Sequence, residues 1–166
     1  MSNPIKERTK QLMEQEILND PTIPEGKKMV GTSMLVWSVI RIILLIVEIM
    51  CASRGFFEVQ SANITALIIG IILAFAIYAG AKALAFLPIL GGAIMIFQCV
   101  TNGYFDIVGS NDYYMLARVY AGLFILASVV QVAAFAFVLI NAKTKAYFNA
   151  FARSQKKAVD ESKPLK

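Results

Sequence analysis

Four long apolar runs follow a polar leader and precede a polar tail. The runs cover about residues 30–52, 64–81, 84–101 and 115–140. A hydrocarbon layer of about 30 Å is crossed by about 20 residues of α-helix, and each run comes near that length or exceeds it. The pattern predicts an all-α membrane protein, with a bundle of four transmembrane helices in residues 29–141. The second and third helices are joined by a very short connection.

The leader, residues 1–28, predicts a short surface helix outside the bundle. Pro4 suits the first turn of a helix, where its missing N–H costs little, and apolar residues recur at helical spacing through about Leu18. The Pro-containing segments at residues 19–21 and 24–26 predict breaks between this helix and the first apolar run.

The tail, residues 142–166, combines aromatic and basic positions. Its apolar positions share one helical face and its basic residues fall elsewhere, which is typical of an amphipathic helix in the membrane interface. The apolar face consists of Thr144, Tyr147, Phe148 and Phe151. Contact with anionic lipid headgroups is the expected role of the basic residues, and docking of a cytoplasmic protein is the alternative. The candidate headgroup contacts are Lys143, Lys145, Arg153, Lys156 and Lys157.

Composition supports lipid as the surroundings of the apolar runs. Of the 166 residues, 58% are hydrophobic and 16% are charged, which is unusual for a soluble domain. A chain of this length has too much surface for its volume to bury so many apolar residues. The net charge of +5 does not indicate nucleic acid, because the basic residues flank the apolar runs, where they suit anionic headgroups.

Lysine and arginine are distributed unequally between the two sides of the predicted bundle. The leader carries five and the tail seven, while residues 53–63 contain only Arg54 and residues 102–114 contain none; the short second connection has Lys82. Cytoplasmic segments of membrane proteins are enriched in these residues, so both ends are predicted to be cytoplasmic. The short connections favour a bacterial plasma membrane.

Polar residues within the apolar runs are the candidate site, because intramembrane charges are costly and usually face the bundle interior or a watery cavity. With the predicted topology, Glu48, Gln98 and Arg118 lie at one depth in the outer half of the bundle. We expect them to form a polar cluster. Such a cluster either lines a binding site or ion path, or forms an ion pair and hydrogen bonds that fix helix register.

Arg41 lies deeper, near the middle of the first run, at the level of Ser128 and Gln131 on the fourth. A central Arg costs about 2.5–3.5 kcal/mol on insertion, while each Leu, Ile or Val contributes about 0.3–0.6 kcal/mol in favour. The apolar residues around Arg41 outweigh its cost, so the helix is expected to insert. No acidic residue is expected at the depth of Arg41, although its long side chain can extend towards Glu48.

Little catalytic or metal chemistry is open to this chain. It has no His, and its two cysteines, Cys51 and Cys99, form no CxxC pair. Zinc sites and dithiol redox sites are therefore not expected, and no metal or cofactor is predicted. Both cysteines lie near the outer ends of their helices, where a disulfide and ordinary helix packing are both compatible with the sequence.

These observations favour a non-enzymatic protein. The first hypothesis is a small membrane interaction subunit that engages another membrane protein, or its own copies, through its helices and the aromatic outer loop at residues 102–114. The second is a transporter or channel component. A membrane enzyme is third, since a Glu/Arg pair can support acid–base chemistry. Membrane lipid is an expected partner and nucleic acid is not. The residues expected to line a transport route are Arg41, Glu48, Arg118 and Gln131.

Overall fold

The computed structural model describes residues 4–56 and 61–163, without the side chains of residues 61–63. These ranges are helical apart from short connections, which confirms the all-α fold class. The elements are α1 Pro4–Asn19, α2 Thr22–Ser53, α3 Ser61–Tyr78, a 3-10 turn Lys82–Ala85, α4 Phe86–Thr101, α5 Tyr104–Gly109, α6 Met115–Ile140 and α7 Ala142–Glu161.

Three helical stretches in the described ranges are long and apolar enough to cross a membrane. They are α2, the 3-10 turn together with α4, and α6. The apolar part of α3, Ile64–Tyr78, is shorter. Large apolar side chains such as Ile46, Phe97 and Val129 lie exposed along these helices, as expected where lipid surrounds them. The fold therefore indicates an integral membrane protein.

The long helix α2 begins well before the predicted membrane run. The break expected at residues 24–26 is wrong, because Pro24 is the third residue of α2, where a helix has no partner for its backbone N–H groups. The helix start lies next to Asp20, whose carboxylate accepts hydrogen bonds from the backbone N–H of Thr22, at 2.9 Å, and from its hydroxyl, at 2.7 Å. These bonds lower the pKa of Asp20.

The helix α6 is the centre of the packing in the apolar region, since it contacts both α2 and α4, and α5 lies against its outer end. In contrast, α3 packs mainly on α2 and on the 3-10 turn. Its buried positions are Gly70, Ala74 and Ile77, a single narrow stripe. The predicted hairpin of the second and third runs therefore has its tight turn, but α3 and α4 diverge beyond it.

A helical layer lies at the end of the molecule that carries both termini. It consists of α1, the first turns of α2, and α7, and we call it the collar. Arg8 pairs with Glu161, and Arg153 with Glu16, each at 2.7 Å. A further ion pair joins Lys143 to a carboxylate at the start of α2, that of Glu25.

The apolar face of α7 is buried in the collar. Tyr147 and Phe148 are each 3% exposed, and they belong to one core cluster with Ile23 of α2. The predicted amphipathic helix is present, and in the structure its apolar face contacts protein. An apolar helical face buries equally well against another helix and against lipid, so periodicity alone does not separate the two.

The collar also holds the turn between α3 and the 3-10 turn. The hydroxyl of Tyr147 donates to the carbonyl oxygen of Tyr78 at 2.5 Å, and the amino group of Lys27 lies 5.2 Å from the centre of the Tyr78 ring. Gly80 has φ +109°, and a Cβ there would overlap the ring of Phe151. The end of α3 is thus fixed by contacts from both α2 and α7.

Candidate functional site

A cavity of about 400 Å³ lies between α2, α3 and α4, with α6 on its inner side. Its polar lining comes from three helices. Ile69 and Leu73 of α3 and Leu87 of α4 supply apolar lining. The polar lining residues are Trp37, Arg41, Gln98 and Gln131.

Glycines bring the walls of this cavity together. A Cβ at Gly70 would overlap the ring of Trp37, so this position on α3 admits the indole only because it has no side chain. On α4, a Cβ at Gly92 would lie 2.7 Å from Val132, and one at Gly91 would lie 3.2 Å from the amide of Gln131. Small residues at such points let transmembrane helices approach closely.

The side chain of Gln131 joins three helices. Its Oε1 accepts a hydrogen bond from the indole N–H of Trp37 at 2.9 Å, and its Nε2 donates to the carbonyl oxygen of Pro88 at 2.7 Å. Both bonds are buried, where polar groups without partners are costly. Gln131 therefore acts as a fixed link between α2, α4 and α6, one of the two roles that the sequence allowed.

Arg41 also lines the cavity, but its side chain is only half-buried, whereas that of Gln131 is buried. Its Nη1 donates to the sulfur of Met95 at 3.2 Å. Thioether sulfur is a weak acceptor, and a guanidinium carries five N–H donors. Glu48, seven residues further along α2, attracts Arg41 electrostatically. It is 2% exposed, and it lies outside the cavity lining. Within the cavity, Arg41 is the cationic side chain.

Arg118 does not join Glu48 in the expected polar cluster. Its Nε donates to the carbonyl oxygen of Val108 at 3.3 Å, and its Nη1 to the side chain of Asn111 at 3.1 Å. Among the described residues, the ion pairs lie in the collar and the tail and not between these two. Arg118 thus bonds to residues of the 102–114 loop, and Gln98, its expected neighbour, lines the cavity with Arg41.

Ser128 and the two cysteines lie buried in the half of the bundle remote from the collar. The Ser128 hydroxyl donates to the Phe124 carbonyl of its own helix at 2.7 Å, and the sulfur of Cys99 lies 3.8 Å from it. The sulfur of Cys51 lies 3.8 Å from the carbonyl oxygen of Leu116. Both cysteines are buried free thiols, and both belong to the apolar cluster around Leu44.

The outer loop contains a helix that the sequence did not predict, α5. Tyr104 at its start packs its ring against Phe124, with ring centres 5.0 Å apart. Tyr113 and Tyr114 beyond it are exposed. Part of the aromatic loop is therefore held against α6, and part of it remains on the surface.

The five candidate headgroup contacts fall into two groups. Lys143 and Arg153 form ion pairs inside the collar, and the hydrogen bond to Glu16 raises the pKa of Arg153. The other three, Lys145, Lys156 and Lys157, are exposed on α7. All five side chains are exposed, and Lys145, Lys156 and Lys157 are the ones outside the ion pairs of the collar.

Sequence reasoning missed Trp37, Gly70 and Met95 as parts of the site. Trp37 precedes Arg41 by four residues, which places the two on one face of α2, and this spacing was available in the sequence. Gly70 and Met95 could not be found in this way, because their roles depend on which faces of α3 and α4 meet α2. In the described part of the chain, no three metal-ligating side chains gather.

In comparisons with known proteins, the chain matches no protein-family model, no curated protein and no solved structure.

Proposed function

We propose that this chain is a non-catalytic membrane protein of four crossings that binds an anionic molecule at Arg41, as a component of a transporter. The observation that carries the proposal is the position of Arg41 as the cationic side chain of an intramembrane cavity of about 400 Å³. Ligand sites are concave and mostly apolar, with a few polar groups that fix orientation, and they measure about 300–1,000 Å³.

The proposal explains why an arginine lies in the apolar part of α2. An intramembrane Arg is costly, and one kept only to fix register would be expected to use its donors on other helices. The register bonds in this bundle are made by Gln131 instead. The hydrogen bond from Arg41 to Met95 uses one donor on a weak acceptor, which leaves capacity for a carboxylate or phosphate, the groups that a guanidinium fits best.

Four crossings are supported by the contact between the two ends of the chain. The α1 and α7 helices lie in one collar and are joined by ion pairs, which supports an even number of crossings. Together with α2, α4 and α6, α3 supplies the fourth crossing. It has 18 residues, about 27 Å at the rise of a helix. The basic leader and tail support a cytoplasmic collar, and the short connections support a bacterial plasma membrane.

Native mass spectrometry of the gently extracted protein tests the binding proposal. We expect a small-molecule adduct on the wild-type chain that is lost in Arg41→Gln. Arg118→Gln is the matched control, because it removes one cation from the outer part of the bundle without touching the cavity. Absence of the adduct from the wild-type protein and from both variants would exclude Arg41 as the binding residue. An adduct that survives in Arg41→Gln would exclude it as well.

Reporter fusions test the topology independently. A reporter after Lys166 is expected inside, and reporters within residues 53–60 and 110–113 are expected outside. A reporter after Lys166 on the outer side would contradict four crossings with a cytoplasmic collar.

A membrane interaction subunit is the second candidate, and the exposed side chains of Tyr113 and Tyr114 favour it, since tyrosine is enriched at interfaces. The partner would be another membrane protein or a second copy. Chemical cross-linking in native membranes should give a discrete higher-mass species that Tyr114→Ser weakens and Val129→Ser, on the exposed flank of α6, does not. Monomer alone in every sample would argue for the first candidate.

A further inference from the structure

We infer that the anionic ligand of Arg41 is an amphiphile, and that it enters from the bilayer between α3 and α4 with its charged group first. This inference rests on the proposed function and names its ligand class. It concerns a carboxylate or phosphate carried by a hydrocarbon chain.

The entrance follows from the packing of α3. This helix contacts mainly α2 and the 3-10 turn, and it leaves α4 beyond the turn. Ile69 on α3 and Leu87 on α4 both line the cavity, and each is 52% exposed. One surface of apolar side chains therefore runs from the outside of the bundle into the cavity, and a hydrocarbon chain can follow it without leaving apolar contact.

The ligand class follows from how polarity is arranged along this path. Ile69 and Leu87, the apolar side chains at the entrance, belong to α3 and α4, and the cation belongs to α2. A soluble anion would use Arg41 but gain nothing from the apolar walls, and it would lose its hydration inside the bilayer. An amphiphile places its charge at Arg41 and its chain along Ile69 and Leu87, so it matches both parts of the cavity.

The chain also contains a natural fluorescent reporter in the wall of the cavity. Trp37 is the one tryptophan of the chain, and it lines the same cavity as Arg41. Bromine on an acyl chain quenches indole fluorescence only at short range. Bound amphiphile can therefore be detected in the full-length protein without introducing a label.

The experiment uses the purified full chain in vesicles of unlabelled neutral phospholipid. Trp37 fluorescence is titrated in separate arms with a brominated long-chain fatty acid, with brominated phosphatidylglycerol and with brominated phosphatidylcholine, and with iodide as a water-soluble anion. The variants are Arg41→Gln, the charge-conserving Arg41→Lys, and Arg118→Gln as the control.

Saturable quenching by an anionic probe is expected at mole fractions where phosphatidylcholine quenches little. Arg41→Gln should raise the half-saturation point about tenfold, the loss that one charge-assisted hydrogen bond brings. Arg41→Lys should lie between wild type and Arg41→Gln, and Arg118→Gln should match wild type. Saturation by the fatty acid alone would identify a single-chain ligand, and saturation by phosphatidylglycerol would identify a membrane lipid; both results support the inference.

Equal quenching by the neutral and anionic probes would overturn the inference, because it would report only contact of Trp37 with bulk lipid. Quenching by iodide that depends on Arg41, without a response to either anionic amphiphile, would also overturn it but would leave the proposed anion site intact. Absence of any dependence on Arg41 in every arm would remove the inference and the proposed site together. Unchanged helical circular dichroism in Arg41→Gln and Arg41→Lys excludes misfolding as the cause.

Discussion

Trp37 and Gln131 are joined by a hydrogen bond of 2.9 Å from the indole N–H to the amide oxygen, although 94 positions separate them in the chain. The bond ties α2 to α6 at the wall of the cavity. The ring of Trp37 also meets Phe135, a further residue of α6, edge-on with ring centres 5.6 Å apart. The position of the indole, and with it the shape of the cavity, depends on this bond.

Replacement of Gln131 should therefore lower stability. Gln131→Leu keeps the size of the side chain but removes two interhelical hydrogen bonds, each of which contributes about 0.6 kcal/mol on average and at most about 1.7 kcal/mol in a membrane protein. We expect the free energy of unfolding in mixed detergent to fall by about 1–3 kcal/mol. Ser128→Ala is the control, since its hydroxyl bonds to a carbonyl of its own helix. An equal loss in both variants would contradict the linking role of Gln131.

Addition of one methyl group at Gly70 should disturb the same region. A Cβ there would overlap the indole of Trp37, which the bond to Gln131 prevents from moving aside, and overpacking of this kind costs about 1–3 kcal/mol. We expect Gly70→Ala to lower the unfolding free energy and to shift the emission spectrum of Trp37. Gly122→Ala is the matched control on α6, where the nearest atom to the new Cβ is 3.9 Å away. It should be neutral or slightly stabilising.

Gly80→Ala should loosen the collar from the turn that follows α3. The residue has φ +109°, which L side chains rarely adopt, and its Cβ would also overlap the ring of Phe151. Hydrogen exchange in α7 should become faster. Gly55→Ala separates the effect of the positive φ from that of the ring overlap, because Gly55 has φ +75° but no atom within 4 Å of the new Cβ. If Phe151→Ala in the Gly80→Ala background restored no protection to α7, the ring contact would not be the cause.

Alkaline pH should weaken the attachment of α7 through Tyr147. Burial, followed by the influence of Tyr78, raises the pKa of Tyr147 from 10.0 to about 12. The folded state thus holds the hydroxyl proton of Tyr147 more tightly than the unfolded state does. The stability that this proton contributes is complete below pH 10 and is lost as pH rises from 10 to about 12. Urea or detergent titrations across this range should show a fall in stability that is smaller in Tyr147→Phe. The same fall in both proteins would assign the effect to other groups.

The chain's helices could largely be predicted from its sequence, because the apolar runs are long and clearly bounded. The predicted run at residues 115–140 coincides with α6, Met115–Ile140. The start of α2 at Thr22 was missed because a proline near the beginning of a helix resembles a proline between helices. Likewise, the apolar face of α7 suited lipid and protein equally, and only the packing of α2 and α1 against it decides between them.

The candidate site was predicted less well, because depth in a bundle does not fix rotation about a helix axis. Arg118 and Glu48 lie at similar predicted depths, but a bond also requires that their faces meet. Arg118 and Gln131 lie about 140° apart around α6 at 3.6 residues per turn, so a helix that turns Gln131 towards the core turns Arg118 away. This comparison within one helix was possible from the sequence. The cavity itself was not, since it results from the divergence of α3 and α4.

The unbroken course of α2 has a mechanical consequence. Its 32 residues span about 48 Å at 1.5 Å per residue, well beyond the thickness of the hydrocarbon core, and one rigid rod therefore carries both the collar contact at Gly26 and the guanidinium of Arg41. A movement of the collar end of α2 is therefore expected to reach Arg41 directly, because the helix is uninterrupted between them.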